Sequence, residues 1–422
     1  MVKFSRRFSA RRAGSSAPAS TAIPREIKVL LAAAFVIAVG FGLVAPVLPQ
    51  FARSFDVGVT ASSVIVSAFA LTRLIFAPTG GKLIERLGEQ PVYIAGLLIV
   101  AISTAACAFA QDYWQLLLFR GLGGIGSTMF TVSAMGLIVR LAPAHMRGRI
   151  SSAYATAFLL GSIGGPVLGG LLAGYGLRVP FLVYSGALLV ASAVVFFQLK
   201  DAPVASRRAD GSPPAMTVRL ALTDRTYRAC LVSGFANGWS SFGVRMALVP
   251  LFATAVLGAG PQIAGISLAF FALGTASALT VSGRLTDSWG RKPMALIGLG
   301  ISAGSMGVLG FTTSVPAFLV VCVLAGVGAG ILNPAQQAAV ADVVGSGRSG
   351  GKVLAVFQMS ADSGAILGPI VAGLLVDSLD SQAYGWAFAA TGMIALLALA
   401  VWVRATETLP GEPSGARTPE GP

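Results

Sequence analysis

Charge is scarce in this chain, and so are the residues that most site chemistry requires. Of 422 residues only 11% are Asp, Glu, Lys or Arg, against about 25% in soluble domains, so water is not the main solvent of the fold. The single histidine, His145, stands among Arg140, Arg147 and Arg149, a solvated basic loop in which neither a metal site nor an imidazole base is assembled. The three cysteines, Cys107, Cys230 and Cys322, lie far apart in apolar stretches, which excludes paired metal-ligand spacing and a disulfide framework and marks them as core residues. No G-x-x-x-x-G-K-S/T loop occurs, so ATP is not the energy source. No nucleophile, base and orienting group can be gathered from the motifs, so no enzyme is expected, and no cofactor or metal.

What the chain has instead is apolar length. Hydrophobic residues make up 55%, and glycine, at 52 residues, runs well above the usual 7% or so, as suits helices packed closely in lipid. A bilayer core of about 30 Å needs about 20 apolar residues per helix. Twelve such spans occur, at approximately 28–50, 60–81, 91–111, 113–139, 150–174, 179–199, 227–256, 262–283, 293–312, 315–341, 352–376 and 384–404. Backbone groups find no water in lipid, so each span is read as a helix, and the alternation of a membrane barrel is absent. The expected fold is an all-α polytopic membrane protein of twelve transmembrane helices.

The net charge of +14 sits in short gaps between spans and not along one helix face, which excludes a nucleic-acid surface. Arg53 and Arg178 lie in odd-numbered loops and Arg73, Arg120 and Arg245 inside spans. The other 25 of the 30 Lys and Arg residues fall in the two tails and the even-numbered loops. That bias places both termini in the cytoplasm of a cell with the chain in its inner or plasma membrane. Residues 1–27 read as a cytoplasmic basic tail, because the apolar run after its arginine pairs is too long for a signal sequence and no small-residue cleavage pattern follows. Residues 28–199 form one six-helix half, 200–226 a polar cytoplasmic linker, 227–404 a second half, and 405–422 a Pro- and Gly-containing tail. A shift of 202 residues lays Gly283-Arg284-Leu285 on Gly81-Lys82-Leu83, Gly290 on Gly88, and Gly326-Val327-Gly328 on Gly124-Ile125-Gly126. Six is an even number, so the pseudo-symmetric halves form a parallel repeat.

Four local patterns stand on this frame. After span 2 comes Gly81-Lys-Leu-Ile-Glu85-Arg86-Leu-Gly88-Glu89-Gln90, and after span 8 Gly283-Arg-Leu-Thr-Asp287-Ser-Trp-Gly290-Arg291-Lys292. The glycines permit tight turns, and an acid four residues before a base offers a pair that latches helix ends. In span 1, Gly40 precedes Pro46-Val47-Leu48-Pro49, which interrupts backbone hydrogen bonding. Span 5 carries Gly161-Ser-Ile-Gly-Gly165-Pro166-Val-Leu-Gly169-Gly170, repeated in span 11 as Gly364 to Gly373 around Pro369. Glycines four apart share a face and let another helix approach. In span 4, Arg120 precedes Gly124-Ile125-Gly126.

Together these patterns resemble the major facilitator superfamily, specifically its twelve-helix drug:proton antiporters, over nearly the whole chain. The resemblance implies a cytoplasmic latch at Gly81, Glu85, Arg86 and Gly88 and again at Gly283, Asp287, Gly290 and Arg291. It implies an antiporter motif at Gly161, Gly165, Pro166, Gly169 and Gly170, and an Arg120 that tunes protonation of a nearby carboxylate. The chain departs from the family where Glu85 replaces Asp, where Glu89 and Gln90 replace basic residues, and where Gly123 replaces Gln, so the first latch is expected to be the weaker.

Charges inside a membrane are costly and read as functional by default. With Arg73, Arg120 and Arg245 inside spans, Asp362 is the lone deep carboxylate. Asp362 and Arg120 are the proton-coupling candidates, with a fixed Asp-Arg ion pair as the alternative. Arg73, Arg245, Asn237, Trp239, Phe242 and Asn333 are candidate cavity residues, and Asn237, Trp239, Phe242 and Asn333 fit a helix-to-helix contact equally well. Three arginines against one carboxylate favour neutral or anionic amphiphiles over lipophilic cations. Trp114 and Trp402, near span ends, are expected at the membrane interface. The function expected is proton-coupled export of small amphiphiles or drugs by a monomeric antiporter whose partners are the substrate, protons and the bilayer. Two alternatives stay open: an importer or symporter of a metabolite such as a sugar or organic anion, and a non-transporting scaffold or sensor.

Overall fold

A computed structural model describes residues 24–141, 147–199, 216–345, 351–379 and 383–409. The tail before residue 24, His145, the linker up to residue 215 and the tail after residue 409 lie outside them. The first span is α1 (Arg25–Val44) followed by α2 (Leu48–Arg53), and α3 (Val59–Leu87), α4 (Glu89–Ala108), α5 (Tyr113–Leu141), α6 (Arg147–Ala173) and α7 (Val179–Leu199) complete the first six. After the short α8 (Val218–Ala221), span 7 is α9 (Arg225–Asn237), a π-helical segment (Gly238–Val244) and α10 (Arg245–Ala255). The last five are α11 (Pro261–Trp289), α12 (Arg291–Leu309), α13 (Val315–Val344), α14 (Gly351–Ser378) and α15 (Ala383–Val403). Eleven segments among the described residues are long and apolar enough to cross a membrane, and span 7, interrupted by its π turn, is the twelfth.

Both irregular spans have a chemical cause. Between α1 and α2 the prolines at 46 and 49 withhold their N–H groups, and Gln50 Nε2 donates to Pro46 O at 2.6 Å in place of a backbone donor. In span 7 the Arg245 backbone N–H reaches back to Ser240 O, five residues earlier, so Ser241 O loses its ordinary helical donor. Arg245 Nε takes that carbonyl at 2.8 Å. The polar run Asn237 to Ser241 is thus satisfied within the protein.

Small residues set how closely the helices pack. A methyl group on Gly161, Gly165 or Gly169 would meet backbone atoms of Phe35, Val39 and Leu43 on α1. In the second six, Gly364 and Gly368 press in the same way on Phe235 and Trp239 of span 7, and Pro369 meets Gly243 as Pro166 meets Gly42. The same two helices also cross between the groups of six. Pro166 and Gly170 bring α6 against Gly265 and Pro261 of α11, and Gly373 brings α14 against Thr60 of α3. These crossings sit at the end of the bundle away from Arg25 and Val403. Hydrogen bonds join the groups there: Val59 N and Thr60 N donate to the Asp377 carboxylate at 2.9 and 2.7 Å, and Ser67 Oγ donates to Ile366 O at 2.7 Å. That end is sealed.

The end carrying the chain termini is organised around the second latch. Gly88 and Gly290 take φ of 83° and 110°, left-handed values that any side chain would oppose. Arg291 donates Nε to Asp342 at 2.9 Å and an amino group to Thr286 O at 2.9 Å, while its pair with Asp287 is longer, at 3.4 Å. Glu407, beyond α15, accepts from the backbone N–H groups of Arg291 and Lys292 at 2.9 and 3.0 Å, closing the start of α12. Burial works to raise the Glu407 pKa, but the N–H donors of Leu409, Arg291, Lys292 and Thr408 outweigh it and hold the carboxyl below its ordinary 4.5. A depressed carboxylate stabilises the fold above its unfolded pKa and loses that contribution as pH falls through the folded value. The melting temperature of the purified protein is therefore expected to drop more steeply as pH falls below about 5 than that of Glu407→Gln. Parallel melting curves for the two would show that the cap adds nothing.

One expectation about the membrane interface is corrected. Trp114 is exposed near a helix end, but Trp402 is fully buried and donates Nε1 to Ser233 Oγ at 2.8 Å. An indole with an internal acceptor packs as core, whatever its place along the helix.

Candidate functional site

Behind the sealed end lies a cavity of about 210 Å³ between the two groups of six. Phe69 and Arg73 from α3 and Arg120 from α5 line one wall, and Phe242, Gln358 and Asp362 line the other, with Phe41 of α1 beside them. The fold thus brings together Arg73, Arg120 and Asp362, three of the four charges that lie inside spans.

Arg120 is buried at 8% exposure. Its guanidinium carbon stands 4.1 Å over the Phe69 ring, a cation-π contact, while its Nε has no hydrogen-bond partner. Arg73 lies one helical turn beyond Phe69, and its carbonyl accepts from Thr128 Oγ1 at 3.2 Å, fastening α3 to α5. Asp362 accepts from Gln358 Nε2 at 3.1 Å, one turn earlier on α14. No ion pair joins Asp362 to Arg73, Arg120 or Arg245, so the fixed Asp-Arg pair left open by the sequence is not formed among these described residues.

The other cavity candidates stand elsewhere. Arg245 is buried over the ring of Phe271 at 4.0 Å and bonded to Ser241 O, away from the cavity wall. Asn237 donates Nδ2 to Asn333 at 3.0 Å and accepts from Ser241 Oγ at 3.0 Å, so these residues tie span 7 to α13. Trp239 is buried against Phe235 and donates to Thr391. Polar groups in a helix interior find partners on neighbouring helices when no water reaches them, and that preference, not cavity lining, places all four. Phe242 alone from this run faces the cavity.

Sequence reasoning missed Phe69 and Gln358. The signal was present: each precedes a charged cavity residue by four positions, which stacks the two on one helix face. Phe69 and Phe271 are also related by the repeat shift of 202, and each carries an arginine, one from α5 and one from span 7. At the latch, Arg86 is exposed, Gly283 faces open space, and the surroundings of Gly81 and the side chain of Glu85 lie outside what is described.

With the geometry in view, comparisons with known proteins give one answer. The sequence profile described as Major Facilitator Superfamily matches residues 30–244 and 230–421. The quinolone resistance protein NorA of Staphylococcus aureus is 33% identical over 181 residues, 42% of this chain and 46% of that protein. Multidrug resistance protein 2 of Bacillus subtilis is 30% identical over 177 residues, 41% and 43% of the two chains, so the alignments span less than half of either relative. Among solved structures, a bacterial homolog of the human lysosomal transporter Spinster, in an inward-facing and unoccupied conformation, superposes with a TM-score of 0.78 at 16% identity, over 89% of this chain and 95% of that one. A POT family transporter in complex with a thioalcohol-conjugated peptide gives 0.75 at 12% identity, over 90% and 96%. The fold is shared with both structures, the profile covers nearly all of the chain, and this multi-pass membrane protein belongs to the Major Facilitator Superfamily, whose members are transporters and not enzymes.

Proposed function

We propose that this chain is a proton-coupled antiporter that exports small amphiphilic molecules across the plasma membrane by alternating access, as a monomer. Residues 28–199 and 227–404 are the rocking halves, with both termini in the cytoplasm. One observation carries the reading: Arg73 and Arg120 from one half and Asp362 from the other face a single central cavity. A carboxylate at the meeting point of two moving halves can be wetted from one side and then from the other, so it can load and release a proton in step with the motion. The basic bias of the terminal-bearing loops makes the sealed end the outer one, and this conformation then opens inward. Names of partial relatives that confer quinolone and multidrug resistance support export as the direction.

The test uses inverted vesicles with an acid interior and a panel of fluorescent amphiphiles. Uptake should follow the imposed gradient in the native protein, and Asp362→Asn should lose that gradient dependence, roughly 100-fold in initial rate, the scale of losing a catalytic proton carrier. Gradient-driven uptake that survives Asp362→Asn would refute the assignment. A second reading, proton symport of an organic anion, is favoured by the excess of arginine over carboxylate on the cavity wall. An acid-outside gradient driving uptake into the same vesicles would establish it.

A further inference from the structure

The cavity holds more positive charge than it uses. Arg120 is nine-tenths buried, its Nε lacks any hydrogen-bond partner, and its guanidinium stacks on the face of Phe69. A guanidinium stacked on a ring keeps its N–H edge free, and that planar fork of donors matches a carboxylate in bidentate fashion. Arg73, one turn along the same wall, adds a second guanidinium. The only carboxylate among the described residues that line the cavity, Asp362, is held by the Gln358 amide. Burying an unpaired arginine is costly in a membrane protein, and one carboxylate against two guanidiniums leaves the described lining of the cavity short of a counter-ion.

We propose that the cavity selects aromatic carboxylates, with the carboxylate docked on the open edges of Arg120 and Arg73 and the ring packed among Phe41, Phe69 and Phe242. A volume of about 210 Å³ lies below the roughly 300 Å³ at which drug-sized pockets begin, so the body is compact, one or two fused rings. The inference rests on this cavity being the transport site.

Calorimetry on the purified full chain in nanodiscs, with no gradient, tests this using four probes: 2-naphthoate, 2-naphthamide, 2-naphthylmethylammonium and 6-(aminomethyl)-2-naphthoate. The acid should bind at least about tenfold more tightly than the amide or the ammonium, as a charge-assisted bidentate pair requires. Arg120→Gln should erase that ratio. Arg73→Gln, at a half-buried position that tolerates the change, should reduce it severalfold and guards against a fold defect at Arg120. The aminomethyl acid, which keeps the carboxylate, should bind more tightly than the ammonium and lose that advantage in Arg120→Gln. Tighter binding of the ammonium, or an acid-to-amide ratio unchanged in both arginine variants, overturns the proposal. Because these ratios need no gradient, they can fail while gradient-driven export survives, and the reverse.

Discussion

Gly165→Ala is expected to cut gradient-driven transport by at least about tenfold while Gly164→Ala, its immediate neighbour, leaves it near the native level. The contrast comes from what each methyl would meet. At Gly165 the added carbon falls on the backbone of Val39 and within 2.8 Å of Gly42 Cα, and at Gly164 nothing lies within 4 Å. A side chain can rotate away from an intruding methyl, but two helix backbones can only separate. Overpacking of this kind costs about 1–3 kcal/mol, and here it acts on α6, the helix that also meets α11 across the halves through Pro166 and Gly170. A seam pushed open on the α1 side displaces the contact on the α11 side. Flux in proteoliposomes, read beside chromatographic profile and melting temperature, separates a locked carrier from an unfolded one. Native flux in Gly165→Ala would show that the close approach has no part in the cycle.

The glycine pattern was readable because its spacing is a geometric statement: positions 161, 165 and 169 fall on one side of any helix. What the spacing leaves open is the partner, and only the fold shows that α1 takes one face and α11 the other. The charges inside spans were legible for a different reason. Each opposes the solvent around it, so Arg73, Arg120 and Asp362 stand out in any hydropathy reading. Arg245 stands out equally, yet its charge is spent on a ring and on a carbonyl released by a π turn. Nothing in the residues Gly238 to Val244 announces that turn, which packs so closely on α14 that a methyl at Gly238 would meet the backbone of Ala361. The second latch shows the same limit. Its i, i+4 partner Asp287 was evident, but the shorter bonds of Arg291 run to Asp342 and Glu407, 51 and 116 residues away. Local periodicity carries no information at that distance.

Asp377 was also invisible to sequence reasoning, because an acid at the end of a membrane helix is ordinary. Its contacts make it the residue whose loss should most disturb the balance between conformations. Its carboxylate accepts from Val59 N and Thr60 N, the first free N–H groups of α3, across the boundary between the halves. Gly58 and Gly373 keep that approach close, since a methyl at Gly58 would meet the Asp377 carboxylate and one at Gly373 would meet Thr60. Charge at a helix N-terminus, together with capping bonds, stabilises by about 1–2 kcal/mol. These bonds exist only while this end is closed, so their whole worth is a difference between the two states of the carrier. Asp377→Ala should therefore raise the population open at this end by about five- to thirtyfold. Ser63 on α3 is fully buried beneath this seal, and the native cysteines are buried as well, so Ser63→Cys reports opening against a low background of thiol reactivity. Maleimide should label that cysteine five to thirty times faster, by the same ratio, when Asp377→Ala is added. Asp377→Asn, which keeps a neutral acceptor for the two N–H groups, should fall between. Equal labelling rates in all three backgrounds would mean that the seal is held by glycine packing alone, and that the charge at the end of α14 does not bias the cycle.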